Sequence, residues 1–294
     1  MSFEVSKGHV IEFGAQVLHL AQQMGSRLRN FVEVESGIVG TRFTFDYIGK
    51  VTATRKVSRH QDTPLTATPQ TRRILDLEDF EYSDLVDKED KIRMIWDPTN
   101  PYVQAGMMAH GRAMDTVVID ASNGTALIGS DDGLSTGTSE TFPAAQDFTP
   151  ATSTALALAD LISARGLLRA AEVITGQEPI VCVCSSASID DLLAVSEIQS
   201  IDQNTFRALT SGEVATFMGF TFIQTELVSG IGGATEKVYF WPRSGIRLGI
   251  GVDVRAMVER RPDKSYSWNP YVAMSIGATR TQSNNVVTTT IDRT

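Results

Sequence analysis

Residues Thr41–Tyr82 read TRFTFDYIGKVTATRKVSRHQDTPLTATPQTRRILDLEDFEY, and how this stretch folds decides what surrounds it. Over Thr41–Val57 polar residues alternate with aromatic or β-branched ones, the two-residue period of a strand with one covered face. Ser58–Gln70 supplies a turn region with Pro64 and Pro69. Thr71–Tyr82 then alternates again, with Ile74, Leu75, Leu77, Phe80 and Tyr82 as its apolar members. The spacing predicts a two-stranded hairpin with about 16 residues per strand, reaching on the order of 50 Å. An isolated two-stranded ribbon is at best marginally stable in water, so a hairpin of that length must rest on another surface.

The same stretch divides by charge. Between Thr41 and Arg73 it carries Arg42, Lys50, Arg55, Lys56, Arg59, Arg72 and Arg73 against Asp46 and Asp62. From Ile74 to Lys91 it carries Asp76, Glu78, Asp79, Glu81, Asp84, Asp87, Glu89 and Asp90 against Lys88 and Lys91. One account is a solvated face whose charges protect a strand edge from aggregation. The sharper account is that the two blocks meet partners of opposite sign on neighbouring copies of the chain. An exposed ion pair contributes only about 0.2–1 kcal/mol, so such charges set alignment more than strength. The candidate intersubunit contacts are Arg55, Lys56, Arg59, Arg72 and Arg73 on the basic side, with Asp76, Glu78, Asp79, Glu81 and Asp84 on the acidic side.

Composition excludes several classes. With 42% hydrophobic and 21% charged residues in 294, the chain is composed like a soluble globular protein and is long enough for one large domain or two ordinary ones. Its formal net charge of -9 gives no global basic footprint for nonspecific nucleic-acid binding. The N-terminal MSFEVSKGHVIEFG lacks a charged head followed by an apolar segment, and no run has the length of a membrane span. A soluble protein made in the cytoplasm is expected. Cys182 and Cys184 lie on one face of the strand IVCVC, where they read as small buried residues; a disulfide framework is excluded, and zinc would need further ligands.

Elsewhere the pattern is mixed. Val10–Asn30 has apolar residues at mostly helical spacing and predicts an amphipathic helix acting as an arm. Asn100–Pro101 and Asn123–Gly124 punctuate a helix of some 22 residues, about 33 Å long, with Ala105, Ala109 and Ala113 as a small-residue stripe. Gly124–Pro150 reads as irregular. Thr152–Ile174 predicts a second helix with Leu158, Leu161, Ile162, Leu168 and Ala171 near one face. A buried strand then leads to a short helix capped by Ser188 with Asp191 three residues on. Strands follow around Gly219, and the stretch from Glu236 is strand-rich with a turn at Arg261–Lys264. There is no internal repeat.

Catalytic motifs are absent. His9, His19, His60 and His110 have no nucleophile or ligand at motif spacing, and neither G-x-S-x-G nor H-E-x-x-H occurs. GIGG at Gly230–Gly233 and GIG at Gly249–Gly251 open no helix after a strand and read as turns. GTALIGS lacks the lysine of a phosphate loop, and the acidic block matches no calcium loop. No catalytic residue, cofactor or metal is expected.

Several segments carry a family likeness: DTPL at Asp62–Leu65, DKEDKIRMIWDPTNPY at Asp87–Tyr102, and GRAMDTVVIDASNG at Gly111–Gly124 with its R-x-x-D. LADLISARGLLRAAEV precedes an S-x-x-S-I-D-D-L-L helix, and GVDVRAMVERRPDK precedes GATR. In this order, across nearly the whole chain, they resemble the major capsid proteins of tailed bacteriophages, an α+β fold named after phage Hong Kong 97. The resemblance implies an N-terminal arm (residues 1–39), an extended loop lying across the neighbouring subunit (40–91) and a peripheral domain with a long spine helix (92–123). An axial domain (124–240) and returning peripheral strands (241–294) complete it. It implies pentamers and hexamers in an icosahedral head enclosing double-stranded DNA without sequence-specific binding. Scaffolding, portal and decoration proteins are its further partners, with assembly in the host cytoplasm and residence in the virion. Neither a long scaffolding segment before the arm nor a crosslink joining Lys50 or Lys56 to Asn269 is expected. The alternatives are an encapsulin-like nanocompartment shell of the same fold, and an α/β enzyme with an unrecognised site.

Overall fold

The computed structural model describes residues 22–63, 65–87, 89, 99–129, 138–152, 154–173, 178–194, 216–228 and 235–293. Its longest hairpin is not at Thr41–Tyr82. It pairs β12 (Ile246–Arg261) with β13 (Ser267–Arg280), 16 and 14 residues long, or about 50 Å. This pair is the centre of a four-stranded sheet, with β1 (Glu33–Ser36) parallel to β12 on one edge and β4 (Glu78–Ser83) antiparallel to β13 on the other. Helix α1 (Thr99–Asn123) packs across one face, within a residue of the predicted start and at the predicted end.

The predicted hairpin is real but short. Strands β2 (Arg42–Ile48) and β3 (Gln70–Asp76) pair over seven residues each, about 23 Å, and the Gly49 N–H donates to the Pro69 carbonyl at 2.8 Å. From Lys50 to Pro69 no described residue belongs to a strand. The second run of alternation covers two strands: β3 stays in the hairpin, the chain crosses at Leu77, and β4 joins β13. Ile74 and Leu75 are both buried, because the crossing brings successive side chains under cover on both sides.

The crossing has a steric condition. Gly249 of β12 faces Gly277 of β13, and β3 passes over this pair. A Cβ on Gly277 would lie 1.9 Å from the Asp76 carbonyl oxygen, and one on Gly249 2.8 Å from Leu75. The glycines of GIG therefore lie within a strand, not in the predicted turn. GIGG lies outside the described residues.

A six-stranded sheet runs β7-β14-β11-β8-β10-β9. It contains β7 (Asp147–Phe148), β8 (Ile180–Cys184), β9 (Thr216–Phe217), β10 (Phe220–Gln224), β11 (Thr235–Pro242) and β14 (Val287–Asp292). The period of two divides its side chains between two cores. Ile180, Cys182, Cys184, Phe220, Val238 and Phe240 face helices α2 (Leu158–Ala170) and α3 (Ser186–Ala194). Val181, Val183, Tyr239 and Trp241 face Met114 and Val118 of α1 with Leu248 and Ile276 of the long hairpin. Every residue of β8 is buried, as the unbroken apolar run requires. At about 1.5–3 kcal/mol per buried aliphatic side chain, this sheet holds the two halves together.

A third sheet, β2-β3-β5-β6, adds β5 (Ala126–Gly129) and β6 (Thr138–Glu140) to the hairpin base. Within the stretch 124–240, β5 pairs with β3 and β6 with β5. Strand β14, at the end of the stretch 241–294, pairs with β11 and β7 in the six-stranded sheet.

Local expectations sort similarly. The predicted N-terminal helix lies outside the described residues as far as Ala21, and Gln22–Leu28 is not helical; Gly25 is at φ +84° there. Helix α2 buries Leu161, Ala164 and Leu168 but leaves Ile162 55% exposed. The cap of helix α3 lies three residues before the predicted one: the Ser188 N–H points at the Ser185 hydroxyl oxygen, 3.4 Å away, so Ser185 is the cap and Ser188 is free for another role. Met218 and Gly219, both at positive φ, make the expected tight turn between β9 and β10.

Candidate assembly interface

The basic and acidic blocks meet different fates. Within the hairpin base, Arg72 forms a two-pronged pair with Asp46 at 2.6 and 3.0 Å, and Arg42 pairs with Asp76 at 2.8 Å. Arg73 is buried; it pairs with Glu140 and donates to the Thr281 carbonyl and the Ser283 hydroxyl, both at 3.1 Å. Arg73, expected at a neighbour, is thus occupied inside its own chain, because β5–β6 covers the hairpin base.

Beyond Gly49 the situation reverses. Every described residue from Lys50 to Gln70 is exposed, including Val57 at 85% and Leu65 at 99%. Among the described residues, Lys50 holds Glu172 at 2.5 Å, the one ion pair from this segment to the rest of the chain. That carboxyl is held below its usual range by the lysine. Arg55, Lys56 and Arg59 make no ion pair with a described residue.

The acidic block lies along β4. Glu78, Asp79 and Glu81 are exposed on the last strand of the four-stranded sheet, followed by Asp84, whose carboxylate accepts from the Leu85 N–H. The Tyr271 hydroxyl donates to Glu81 at 3.1 Å, and that carboxylate raises the phenol above its ordinary range.

Two anchors fix the hairpin and the arm. Arg280, fully buried, donates to the carbonyls of Gly124 at 2.5 Å, Ser122 at 3.3 Å and Ala121 at 3.4 Å. It thereby satisfies the orphan acceptors at the end of α1 and complements the helix dipole. Burial, reinforced by Arg73 and opposed by Glu140, pulls its guanidinium down to about 10. The hairpin base and the helix end are wired together through Arg73, Glu140 and Arg280.

The second anchor is Asp115 on α1, fully buried. It accepts from Gln23, from the Ser26 hydroxyl at 2.5 Å, and from the N–H groups of Arg27 at 2.9 Å and Leu28 at 3.1 Å. One turn earlier, Gly111 admits the arm: a Cβ there would meet the Gly25 backbone at 2.5 Å. Arg112 donates to Gln22 at 2.8 Å. The R-x-x-D seen in the sequence is therefore the arm's fastening, a role its spacing alone did not reveal.

A third buried cluster ties down the end of β14. Arg293 donates to Glu236 at 2.9 Å, Asp191 at 2.6 Å and Ser188 at 2.7 Å. Burial pushes the Glu236 carboxyl up, but its donors Ser185, Ser188 and Arg293 outweigh this and leave it below its ordinary value. No group of three or more metal-ligating side chains exists among the described residues, nor a helix long and apolar enough to cross a membrane. Burial raises the Cys182 thiol well above its ordinary value, the state of an inert core residue.

Solved structures share this arrangement. Mycobacterium phage Che8 aligns with a TM-score of 0.72 at 16% identity, over 97% of this chain and 98% of that one. The capsid of cyanophage P-SCSP1u gives 0.72 at 12% identity, over 97% and 94%. The capsid asymmetric unit of cyanophage Pam1 gives 0.70 at 13%, over 99% of both. The fold is thus the Hong Kong 97-type capsid fold. No curated protein sequence matches the chain. The family model described as phage capsid protein matches residues 5–292, a span that takes in the arm fastening, the exposed hairpin tip and all three sheets: the chain belongs to the phage capsid protein family.

Proposed function

We propose that the chain is the major capsid protein that builds a phage head, associating with identical copies as pentamers and hexamers around double-stranded DNA. The observation that carries this reading is the hairpin beyond Gly49, a charged and partly apolar projection that its own chain leaves uncovered. Residues 40–91 serve as the extended loop and reach the next subunit. Arg55, Lys56 and Arg59 meet carboxylates there, Glu78, Asp79, Glu81 and Asp84 being the exposed candidates, while Arg72, Arg73 and Asp76 hold the hairpin base in shape. Helix α1 is the spine. The long hairpin sheet is the peripheral domain and the six-stranded sheet with α2 and α3 the axial one. The net charge of -9 suits a wall that does not trap the DNA it encloses. Assembly takes place in the host cytoplasm with scaffolding, portal and decoration proteins as further partners, and the role is structural and not enzymatic.

Electron microscopy of the purified protein tests this reading. Closed shells with fivefold vertices are expected. A monodisperse monomer or dimer under every assembly condition would refute it.

A further inference from the structure

Strand β4 is an edge of the four-stranded sheet. In an antiparallel pair, residues alternate between directing both backbone groups at the partner and directing them away. Val86 and Trp268 exchange both bonds, at 2.8 and 2.9 Å, and the Asp84 N–H donates to the Pro270 carbonyl at 3.3 Å. The register continues without a bulge through Ser83↔Tyr271 to Glu78↔Ile276. Even-numbered residues of β4 therefore point their backbone groups at β13, and odd-numbered residues point them outward. The Leu77 N–H, on the outward side, is taken by the Thr41 carbonyl at 3.0 Å. The next three outward positions, Asp79, Glu81 and Ser83, have no backbone partner among the described residues. A short ladder of N–H and C=O groups thus stands open, flanked by carboxylates.

The same chain contains a segment suited to that edge. Lys50–Val57, KVTATRKV, alternates β-branched and polar residues, yet belongs to no strand and is exposed throughout. It carries Lys50, Arg55 and Lys56 with no acidic residue. We propose that Lys50–Val57 of one copy adds as a strand to the β4 edge of the next. This rests on the shell reading and specifies how its subunits join. Main-chain bonds supply affinity in such pairing, and side chains supply selectivity. Arg55 and Lys56 lie on opposite faces of the added strand, so one of them shares a face with Asp79 and Glu81 whichever register is adopted.

The test uses assembled particles with paired cysteines. Glu81→Cys is co-assembled in turn with Thr52→Cys, Ala53→Cys, Thr54→Cys and Arg55→Cys, and oxidised; Cys182 and Cys184 are buried and stay out of the reaction. Intermolecular disulfides at alternate positions, absent before assembly, are expected. In wild-type particles the amides of Asp79, Glu81 and Ser83 should gain hydrogen-exchange protection together with alternate amides of Val51–Val57. Particles that assemble with no crosslink at any position, or with equal crosslinking at adjacent positions and no new protection, overturn the strand addition while leaving the shell reading intact. Failure of the wild-type chain to form shells is a different outcome and overturns both.

Discussion

Replacing Gly277 with alanine tests the crossing of β3 over the long hairpin. The new Cβ would start 1.9 Å from the Asp76 carbonyl oxygen, 2.9 Å from its carbon and 3.1 Å from Leu75. An ordinary carbon–oxygen contact is about 3.3 Å or more, so backbone must move by roughly 1.4 Å. That backbone is pinned on both sides, since Asp76 pairs with Arg42 in β2 and the Leu77 N–H is bonded to Thr41. Overpacking of a fixed site costs about 1–3 kcal/mol, and the rigidity here favours the upper end. Gly166→Ala is the internal control. Gly166 lies in α2, is exposed, and has nothing within 4 Å of its would-be Cβ, so the same change there should stabilise by about 0.5–1 kcal/mol. Chemical denaturation of the unassembled protein would read both. In thermal denaturation, at about 2–4 °C per kcal/mol, the melting temperature should fall by roughly 4–12 °C for Gly277→Ala and rise by about 2 °C for Gly166→Ala. If both variants shift the same way, the crossing is not sterically fixed and the reasoning fails.

Three further outcomes follow from the anchors and the core. Asp115→Asn exchanges charge-assisted bonds for neutral ones and should cost about 1–2 kcal/mol, read as faster proteolysis near Gln22–Leu28 than in wild type. Glu236 has a folded-state pKa below its ordinary 4.5, so its stabilising contribution is complete above 4.5 and is lost as pH falls through the lower folded value. Glu236→Gln should therefore be less stable than wild type at neutral pH, with the gap narrowing on acidification; a constant gap in pH-dependent denaturation would count against the Arg293 cluster. Cys182 and Cys184, both fully buried, should resist a thiol reagent in the native protein and react at the rate of unfolding.

Legibility in the sequence followed the physics of each signal. Helix α1 was readable because Asn–Pro and Asn–Gly punctuate it locally, and β8 because a continuous apolar run has few other homes. The hairpin was readable as a pattern but not in extent. Alternation marks a strand without naming its partner, so β3 and β4 looked like one strand although they serve different sheets. The charge blocks named candidate contacts by residue type but not by surroundings: Arg73 and Arg55 are the same type of residue in the same block, yet β5–β6 covers Arg73 at the hairpin base while Arg55 is exposed. Arg280, Arg293 and Asp115 went unseen because a buried charge is identified by what surrounds it, and their partners lie between 57 and 159 residues away in sequence.

The two-sided burial of the six-stranded sheet settles where such a molecule can yield. Bending that sheet would disturb packing on both its faces at once, so the strain of fitting one sequence into unequal surroundings cannot be absorbed there. Between Ser58 and Pro69, outside the segment proposed to add to β4, no described residue belongs to a ladder, and a change of direction costs only torsion. Copies in different environments should therefore superpose closely over the sheets and diverge in that reach, much as a stiff tile is laid on a curved floor by adjusting its grout.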